Sequence, residues 1–217
     1  MKKLRILLDF IRDVYYYLYK IRKKITIYGF YIKRGELMLY SYKECIQKYH
    51  TDYALRNALI TGELKKVSRG IYSDGGKEHD LSVIGKTYPY AVFTMNSAFY
   101  YHGLTDTIPK KYYLITDKDS TKIKDARIVQ YFDNCNSLKL GTEQKDISGA
   151  IIRIFSRERM LVELIRHKKK LPFDYYKEII ASYRKLLYEL DIQAIEEYAE
   201  KLPRTNLVME TLRMEVF

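Results

Sequence analysis

Arg56 and Asn57 are the neighbouring side chains whose chemistry is most specific in this sequence. In the major groove of DNA, arginine can bond bidentately to a guanine edge and asparagine to an adenine edge. Both lie in residues 51–60, where Thr51 and the aspartate after it are typical of a helix start, because threonine caps a free backbone N–H. We interpret four residues of this segment as those that approach bases: Thr51, Tyr53, Arg56 and Asn57.

The spacing of the apolar residues predicts how this helix is held. Small and apolar side chains fall three and four residues apart and share one face, as a helix packed tightly on another requires: Ala54, Leu55, Ala58 and Leu59. The opposite face carries Tyr53, Arg56, Asn57 and Ile60. Gly62 ends the helix, since glycine tolerates the left-handed conformation at that position.

A basic hairpin is predicted directly after this helix. The short runs Leu64–Val67 and Ile71–Ser73 flank the three-residue loop Ser68-Arg69-Gly70, which has glycine at its end. With a further helix before Thr51, residues 41–74 have the layout of a winged helix-turn-helix. The cations expected to meet phosphates are Lys43, Lys48, Lys65, Lys66 and Arg69. The alternative is an ordinary pair of helices with a solvated basic hairpin.

Two acidic patterns imitate metal-dependent active sites. Asp117 and Asp119 form a D-x-D after a predicted strand, as in nucleotidyl-transferring enzymes, but no Gly-Ser phosphate turn precedes them. Metal-dependent nucleases use an aspartate followed later by an E-x-K motif. Asp133 imitates that aspartate, and Glu143 and Lys145 imitate the E-x-K. That E-x-K must lie on a buried strand, whereas its glycine and polar neighbours here predict a loop. We interpret both patterns as polar turns.

The other residue types that perform catalysis are scattered. The four histidines, His50, His79, His102 and His167, are too far apart in sequence for a zinc site. We interpret His102, between Tyr101 and Gly103, as a satisfied core or turn histidine. The chain has no P-loop, no Rossmann glycine fingerprint and no G-x-S-x-G motif. The sequence therefore favours a binding protein over an enzyme and implies no metal or cofactor.

Charge indicates a polyanionic partner. The 217 residues carry a formal net charge of +12. Residues 1–74 hold 16 Lys and Arg against 7 Asp and Glu, which leaves +9 in the part that contains the predicted winged helix. Nucleic acid is the first candidate partner and an anionic membrane the second. Two lone cysteines and no apolar run of about 18 residues predict a reduced, cytoplasmic protein without a membrane span.

The remaining sequence predicts an α+β protein of two domains. Residues 1–34 read as an amphipathic helix and a basic extension, and residues 1–76 as the winged helix-turn-helix domain with this extension. Two glycines and the polar residues around residue 76 mark the boundary. Residues 77–217 form the second domain, with a small mixed or antiparallel sheet in residues 81–155 packed with a helical bundle in residues 156–217. Its predicted strands are Tyr112–Thr116, Arg127–Phe132 and Ile147–Phe155, and its predicted helix starts include Thr94, Ser156 and Asp191.

Three runs in this order resemble the AbiEi antitoxins of abortive-infection systems. They are GELKKVSRGIY at Gly62–Tyr72, SAFYYHGLTDTIPKKYYLIT at Ser97–Thr116, and FSRERMLVELIRHKKKLPFDYYKEII at Phe155–Ile180. The resemblance covers the chain from Tyr42 to the C-terminus, and the middle run is its most specific part. Met160 and Glu163 depart from it, because threonine and aspartate are more usual there. The first 35 residues are an extension.

The resemblance implies two functions. The winged helix would bind inverted repeats in its own promoter as a transcriptional repressor. The second domain would counteract a nucleotidyltransferase toxin as a type IV antitoxin, without a stable complex, and the protein would be a monomer or weak homodimer. We expect a basic antitoxic surface at Arg157, Arg159, Arg166, Lys168, Lys169 and Lys170. The alternatives are a winged-helix transcription factor with a ligand-sensing second domain, or a metal-dependent nuclease or nucleotidyltransferase.

Overall fold

Two small β-sheets and nine α-helices make up the part of the chain that the structure describes, which is residues 38–75 and 79–217 of a computed structural model. The predicted α+β class is confirmed. The predicted N-terminal helix in residues 1–34 lies outside the described residues. Part of the predicted domain boundary, residues 76–78, lies outside them too, and Leu39–Phe217 forms one unit.

The first sheet is three-stranded and antiparallel, in the order β1-β3-β2. Its strands are β1 (Leu39–Ser41), β2 (Lys65–Ser68) and β3 (Ile71–Ser73). Between β1 and β2 lie α1 (Tyr42–Tyr49) and α2 (Asp52–Ile60). The Ser41 hydroxyl accepts from the backbone N–H of Glu44, whose carboxylate accepts from that of Ser41, so a capping box fixes the start of α1.

The turn of this hairpin is shorter than predicted. Ser68 belongs to β2, so the connection is the two residues Arg69 and Gly70 instead of three. Gly70 has φ +73°, a conformation that glycine adopts without strain. The three-residue prediction was wrong because β2 has an irregular register between Lys66 and Ser68, which lets Ser68 pair with Ile71.

The second sheet is five-stranded and mixed, in the order β6-β5-β4-β8-β7. Its strands are β4 (Val92–Phe93), β5 (Tyr112–Asp117), β6 (Ile128–Asp133), β7 (Thr142–Ile147) and β8 (Ala150–Phe155). The pairs β5–β6 and β4–β8 are parallel, whereas β4–β5 and β7–β8 are antiparallel. Helices α3 (Asp80–Thr87), α4 (Met95–Tyr101) and α5 (Cys135–Lys139) connect the strands.

Strand β7 contradicts the loop predicted around Glu143 and Lys145. These residues pair in antiparallel register with Ile154 and Ile152 of β8. The segment is a strand because a tight turn, with Gly149 at φ +87°, returns the chain against it. Its polar composition suits an edge strand, whose outer side is not covered by a neighbouring strand.

Helices fill the remainder of the chain. They are α6 (Arg157–Arg166), α7 (Phe173–Lys185), α8 (Ile192–Lys201) and α9 (Thr205–Thr211), the last continued by a π-helical turn (Leu212–Val216). Short 3-10 helices, Lys168–Lys170 and Leu187–Glu189, precede α7 and α8. Helix starts predicted at Ser156 and Asp191 are confirmed, because both side chains accept from a backbone N–H three residues on. In residues 38–75 and 79–217 no helix has the length and apolar character needed to cross a bilayer.

Thr94 differs from its prediction as a helix cap. It precedes α4, but its hydroxyl makes no capping bond. The hydroxyl instead points to the sulfur of Met160 at 3.8 Å, within the core shared by the second sheet and α6. Met160 is fully buried, and its flexible thioether side chain fills this part of the core.

Candidate nucleic-acid interface

Helix α2 presents a mixed polar and apolar face to solvent. Leu55 and Ala58 are buried, and Ala54 and Leu59 are half-buried, so the predicted packing face is confirmed. Arg56 and Asn57 are exposed on the opposite face. Within the described residues, no hydrogen bond or ion pair engages either side chain. Their donors and acceptors are therefore available to an external partner.

Thr51 is exposed but already holds one structural bond. Its hydroxyl oxygen accepts from the backbone N–H of Ala54 at 3.1 Å and caps α2. Such a cap contributes about 1 kcal/mol to helix stability. The hydroxyl proton is still free to donate. Thr51 therefore both caps α2 and offers a hydrogen-bond donor at the N-terminal end of this helix.

Tyr42 joins the three parts of this region. Its backbone N–H donates to the carbonyl of Gly70 in the hairpin turn at 2.9 Å. Its hydroxyl donates to the Asp52 carboxylate at 2.6 Å, and this bond raises the pKa of Tyr42. One residue at the start of α1 thus contacts both the N-terminal end of α2 and the tip of the hairpin. Nothing in the sequence pattern around Tyr42 indicates this role.

The hairpin and α1 carry exposed cations. Lys65 and Lys66 are exposed on β2, which is an edge strand of its sheet, and Arg69 is exposed in the turn. Lys43 is exposed in the first turn of α1. Cations beside hydrogen-bonding side chains are the arrangement that binds a phosphate backbone while base edges are contacted.

Lys48, also predicted to meet phosphates, has a partner within the protein. Its ammonium donates to the Tyr40 hydroxyl at 3.2 Å and lies 4.5 Å from the centre of the Tyr40 ring. The Tyr40 hydroxyl in turn donates to Asp74. Lys48 is exposed, but its ammonium is engaged by Tyr40 and stabilises the junction of α1 with β1. The exposed cations of this region without such a side-chain partner are Lys43, Lys65, Lys66 and Arg69.

Arg159 contradicts the predicted antitoxic surface, because it is fully buried with 0% of its side chain exposed. Its guanidinium donates to the Glu163 carboxylate at 2.8 and 3.1 Å and to the backbone carbonyl of Ser137 at 3.1 Å. The guanidinium carbon lies 4.6 Å from the centre of the Phe155 ring. Burial lowers the pKa of Arg159, and the Glu163 carboxylate counteracts this effect. The residue is structural.

Glu163 is the centre of this buried ionic cluster. Besides Arg159, it accepts from Arg166 at 2.5 Å, and one of its oxygens lies 3.3 Å from His167. Burial by itself would raise the pKa of Glu163, but the His167 hydrogen bond and the Arg159 and Arg166 charges outweigh it, so the pKa falls to about 2. Arg166 is only 13% exposed, so it too belongs to the cluster and not to an open surface.

The other predicted antitoxic residues divide into paired and exposed cations. Arg157 forms an ion pair with Glu189 at 2.9 Å, and Lys168 pairs with Glu215. Lys169 and Lys170 are exposed in the 3-10 helix after α6. The predicted surface therefore reduces to Lys169 and Lys170.

His102 is a satisfied core histidine, as predicted. Its Nε2 lies 2.7 Å from the Phe155 carbonyl, and its Nδ1 lies 3.0 Å from the Lys145 ammonium. The protonation state consistent with both contacts has Nε2–H donating to the carbonyl and Nδ1 accepting from lysine. Burial lowers the pKa of His102 to about 4, so the ring is neutral at pH 7. It holds the end of β8 against the turn after α4.

The two acidic patterns meet only where Asp117 and Asp133 pair across β5 and β6. Asp133 ends β6 and Glu143 lies on β7, the two opposite edges of the second sheet, so the nuclease-like set is not brought together. Asp117 accepts from the backbone N–H of Asp119 at 3.0 Å, as a polar turn does. Among the described residues, no group of three or more histidine, cysteine or acidic side chains is placed to hold a metal ion.

Comparisons with known proteins bear on the fold alone. No protein-family model matches the chain, and no curated protein matches it. Among solved structures, it is similar to the crystal structure of the RV2827C protein from Mycobacterium tuberculosis. The TM-score is 0.56 at 12% sequence identity, over 81% of this chain and 71% of that chain. An identity this low supports a shared fold and no statement about function.

Proposed function

We propose that α1, α2 and the β2–β3 hairpin act as a winged helix-turn-helix that binds double-stranded promoter DNA. The observation that carries this proposal is the exposed, unengaged pair Arg56 and Asn57 on a helix that Tyr42 links to the turn of a hairpin with exposed cations. In helix-turn-helix proteins the second helix enters the major groove and its side chains contact base edges. Helix α2 would take that place, and Lys65, Lys66 and Arg69 would contact phosphates.

We further propose that the protein is a cytoplasmic antitoxin that represses its own operon and counteracts a nucleotidyltransferase toxin. Its support is the resemblance of Gly62–Tyr72, Ser97–Thr116 and Phe155–Ile180 to the AbiEi antitoxins. Two of those runs contain residues with defined structural tasks, the buried His102 and the Arg159–Glu163 pair. The proposed role is non-catalytic. The AbiEi resemblance implies action without a stable complex with the toxin.

Two alanine variants separate base contacts from phosphate contacts. Arg56→Ala is expected to weaken specific binding by about 1–3 kcal/mol and to relax specificity at one base pair, because a bidentate contact is lost. Lys65→Ala is expected to weaken binding to all duplexes and to reduce the slope of affinity against salt by about 1. Equilibrium binding to a duplex of the chain's own promoter, at several salt concentrations, measures both effects.

A matched control removes the same charge elsewhere. Arg213, exposed in the C-terminal π-helical turn, also loses one positive charge on substitution with alanine. The Arg213→Ala protein should keep its specificity and bind within about twofold of the parent, since Arg213 belongs to none of the proposed contact elements. Equal loss of affinity in Arg213→Ala and Arg56→Ala would reject base recognition by Arg56.

The antitoxic role is tested on the two cations that remain exposed. Combined Lys169→Glu and Lys170→Glu substitution is expected to abolish growth rescue in cells that express the neighbouring toxin gene, because it reverses the charge of the proposed surface. Lys185→Glu, at the exposed end of α7, is the control and should rescue growth fully. Full rescue by the double variant, at equal protein level, would show that Lys169 and Lys170 are not required.

A further inference from the structure

The centre of the exposed face of α2 is apolar. At about 100° per residue, four exposed side chains follow one another around the helix in the order Arg56, Ile60, Tyr53, Asn57, within an arc of about 100°. Asp52, also exposed and bonded by the Tyr42 hydroxyl, lies about 40° beyond Arg56. Ile60 is 82% exposed and Tyr53 is 75% exposed. Two large apolar side chains thus lie between the two hydrogen-bonding residues, with Arg56 on one side and Asn57 on the other.

The surroundings indicate which kind of partner covers these two side chains. Single exposed apolar residues are ordinary on protein surfaces. Here, however, the pair is flanked by Arg56 and Asn57, and Lys43, Lys65, Lys66 and Arg69 are exposed on the neighbouring elements. This positive border favours a polyanion. The apolar group that duplex DNA offers in its major groove is the C5-methyl group of thymine.

We infer that Ile60 and Tyr53 recognise thymine methyl groups, so that the preferred DNA site carries thymines among the base pairs contacted by Arg56 and Asn57. This inference rests on the proposed DNA-binding function and adds the base preference of that interface. Tyr53 and Ile60 are seven residues apart, which is about 10 Å along the helix axis. A base-pair step rises ~3.4 Å, so two such thymines lie within about three base pairs of each other.

Replacement of thymine by uracil tests the inference directly, because it removes only the methyl group. The full chain first selects preferred sequences from a pool of random duplexes. The selected duplex is then made with deoxyuridine in place of each thymidine in turn. We expect about fourfold weaker binding when uracil replaces a contacted thymine, because burial of one methyl group changes affinity by about this factor.

Variants of the protein assign the methyl contacts to residues. The Ile60→Ala protein should bind duplexes with uracil or thymine equally tightly at one of the sensitive positions. The Tyr53→Ala protein should do so at the other sensitive position. Both side chains are exposed, so neither change removes core packing. Ile108→Ala is the control: Ile108 is 71% exposed in the loop between α4 and β5, and its variant should keep the full sensitivity to uracil.

The outcomes separate this inference from the function on which it rests. If the protein enriches no sequence and binds no duplex, both the DNA-binding function and thymine-methyl recognition are rejected. A protein that enriches a sequence but binds its uracil forms as tightly as its thymine forms overturns methyl recognition and leaves DNA binding intact. Uracil sensitivity that persists unchanged in both Ile60→Ala and Tyr53→Ala also overturns the assignment.

Discussion

Substitution of Glu163 by glutamine is expected to lower the free energy of unfolding by about 3–5 kcal/mol. Glu163 is the carboxylate that Arg159 contacts inside the protein, where no part of the arginine side chain reaches solvent. Glutamine is nearly the same size but uncharged, so it leaves the guanidinium charge buried without a counter-ion. Chemical denaturation followed by circular dichroism measures the loss.

A surface pair with the same spacing supplies the control. Glu197 and Lys201 form an i,i+4 ion pair on α8, and about half of each side chain is exposed. Glu197→Gln should change the free energy of unfolding by less than about 0.5 kcal/mol, because water screens exposed pairs. If Glu163→Gln were as mild as this control, the buried cluster would not stabilise the fold as proposed.

The same cluster gives the parent protein a defined dependence on acid. The folded-state pKa of Glu163 is about 2, below the ordinary value of 4.5. Its contribution is therefore fully present above pH 4.5 and is lost as the pH falls towards 2. The size is about 3 kcal/mol. The stability curves of the parent and of Glu163→Gln should converge across this interval, whereas Glu197→Gln should follow the parent throughout.

Substitution of Gly141 by alanine is the second change expected to have a large effect. Gly141 has φ +65°, and a Cβ atom placed there would lie 2.6 Å from the Cβ of Arg159 and 3.1 Å from the Tyr198 ring. Arg159 cannot yield easily, because it is held by its buried hydrogen bonds. We expect a loss of about 3–5 kcal/mol, from overpacking together with the strained backbone conformation.

Gly149 separates these two causes. It also has positive φ, +87°, but no atom lies within 4 Å of a Cβ built on it. Gly149→Ala should therefore show the conformational strain alone, about 1–2 kcal/mol. Thermal and chemical unfolding of both variants would make the comparison. Similar losses in the two variants would mean that the close approach of Gly141 to Arg159 is relieved by a small backbone shift.

The features predicted correctly from sequence are those that depend on near neighbours. Ser156 and Asp191 were recognised as helix starts because a capping side chain bonds a backbone N–H three residues away. The division of α2 into a packing face and an exposed face follows from the helical period alone. The hydrogen-bonding residues of the candidate interface were therefore accessible to sequence analysis.

The failures involve partners that are distant in sequence. Arg159 was assigned to a surface because arginine is seldom fully buried. Its burial depends on carbonyl groups near Ser137, which the fold brings from 22 residues away. One signal was present: Glu163 lies four residues from Arg159 and three from Arg166, so the three share a helix face. Strand β7 was missed because a polar edge strand lacks clear apolar alternation, and only its pairing with β8 defines it.

Ile60 was noticed as a face residue but was not placed in the candidate site, because it has no hydrogen-bonding group. Its exposure in the structure changes that assessment. Apolar residues inside a polar helical stripe are therefore worth counting as candidate contacts when a sequence of this kind is interpreted.

The two bonds made by Tyr42 have a consequence for how DNA shape would be sensed. Its backbone fixes the hairpin turn and its hydroxyl fixes the beginning of α2, so the span between them is set within the protein. A DNA-binding surface in which the distance between helix and hairpin is fixed fits one groove geometry best. A duplex that must be bent or widened to match this distance costs deformation energy. Stiff and flexible base steps would then be distinguished even at positions that no side chain touches.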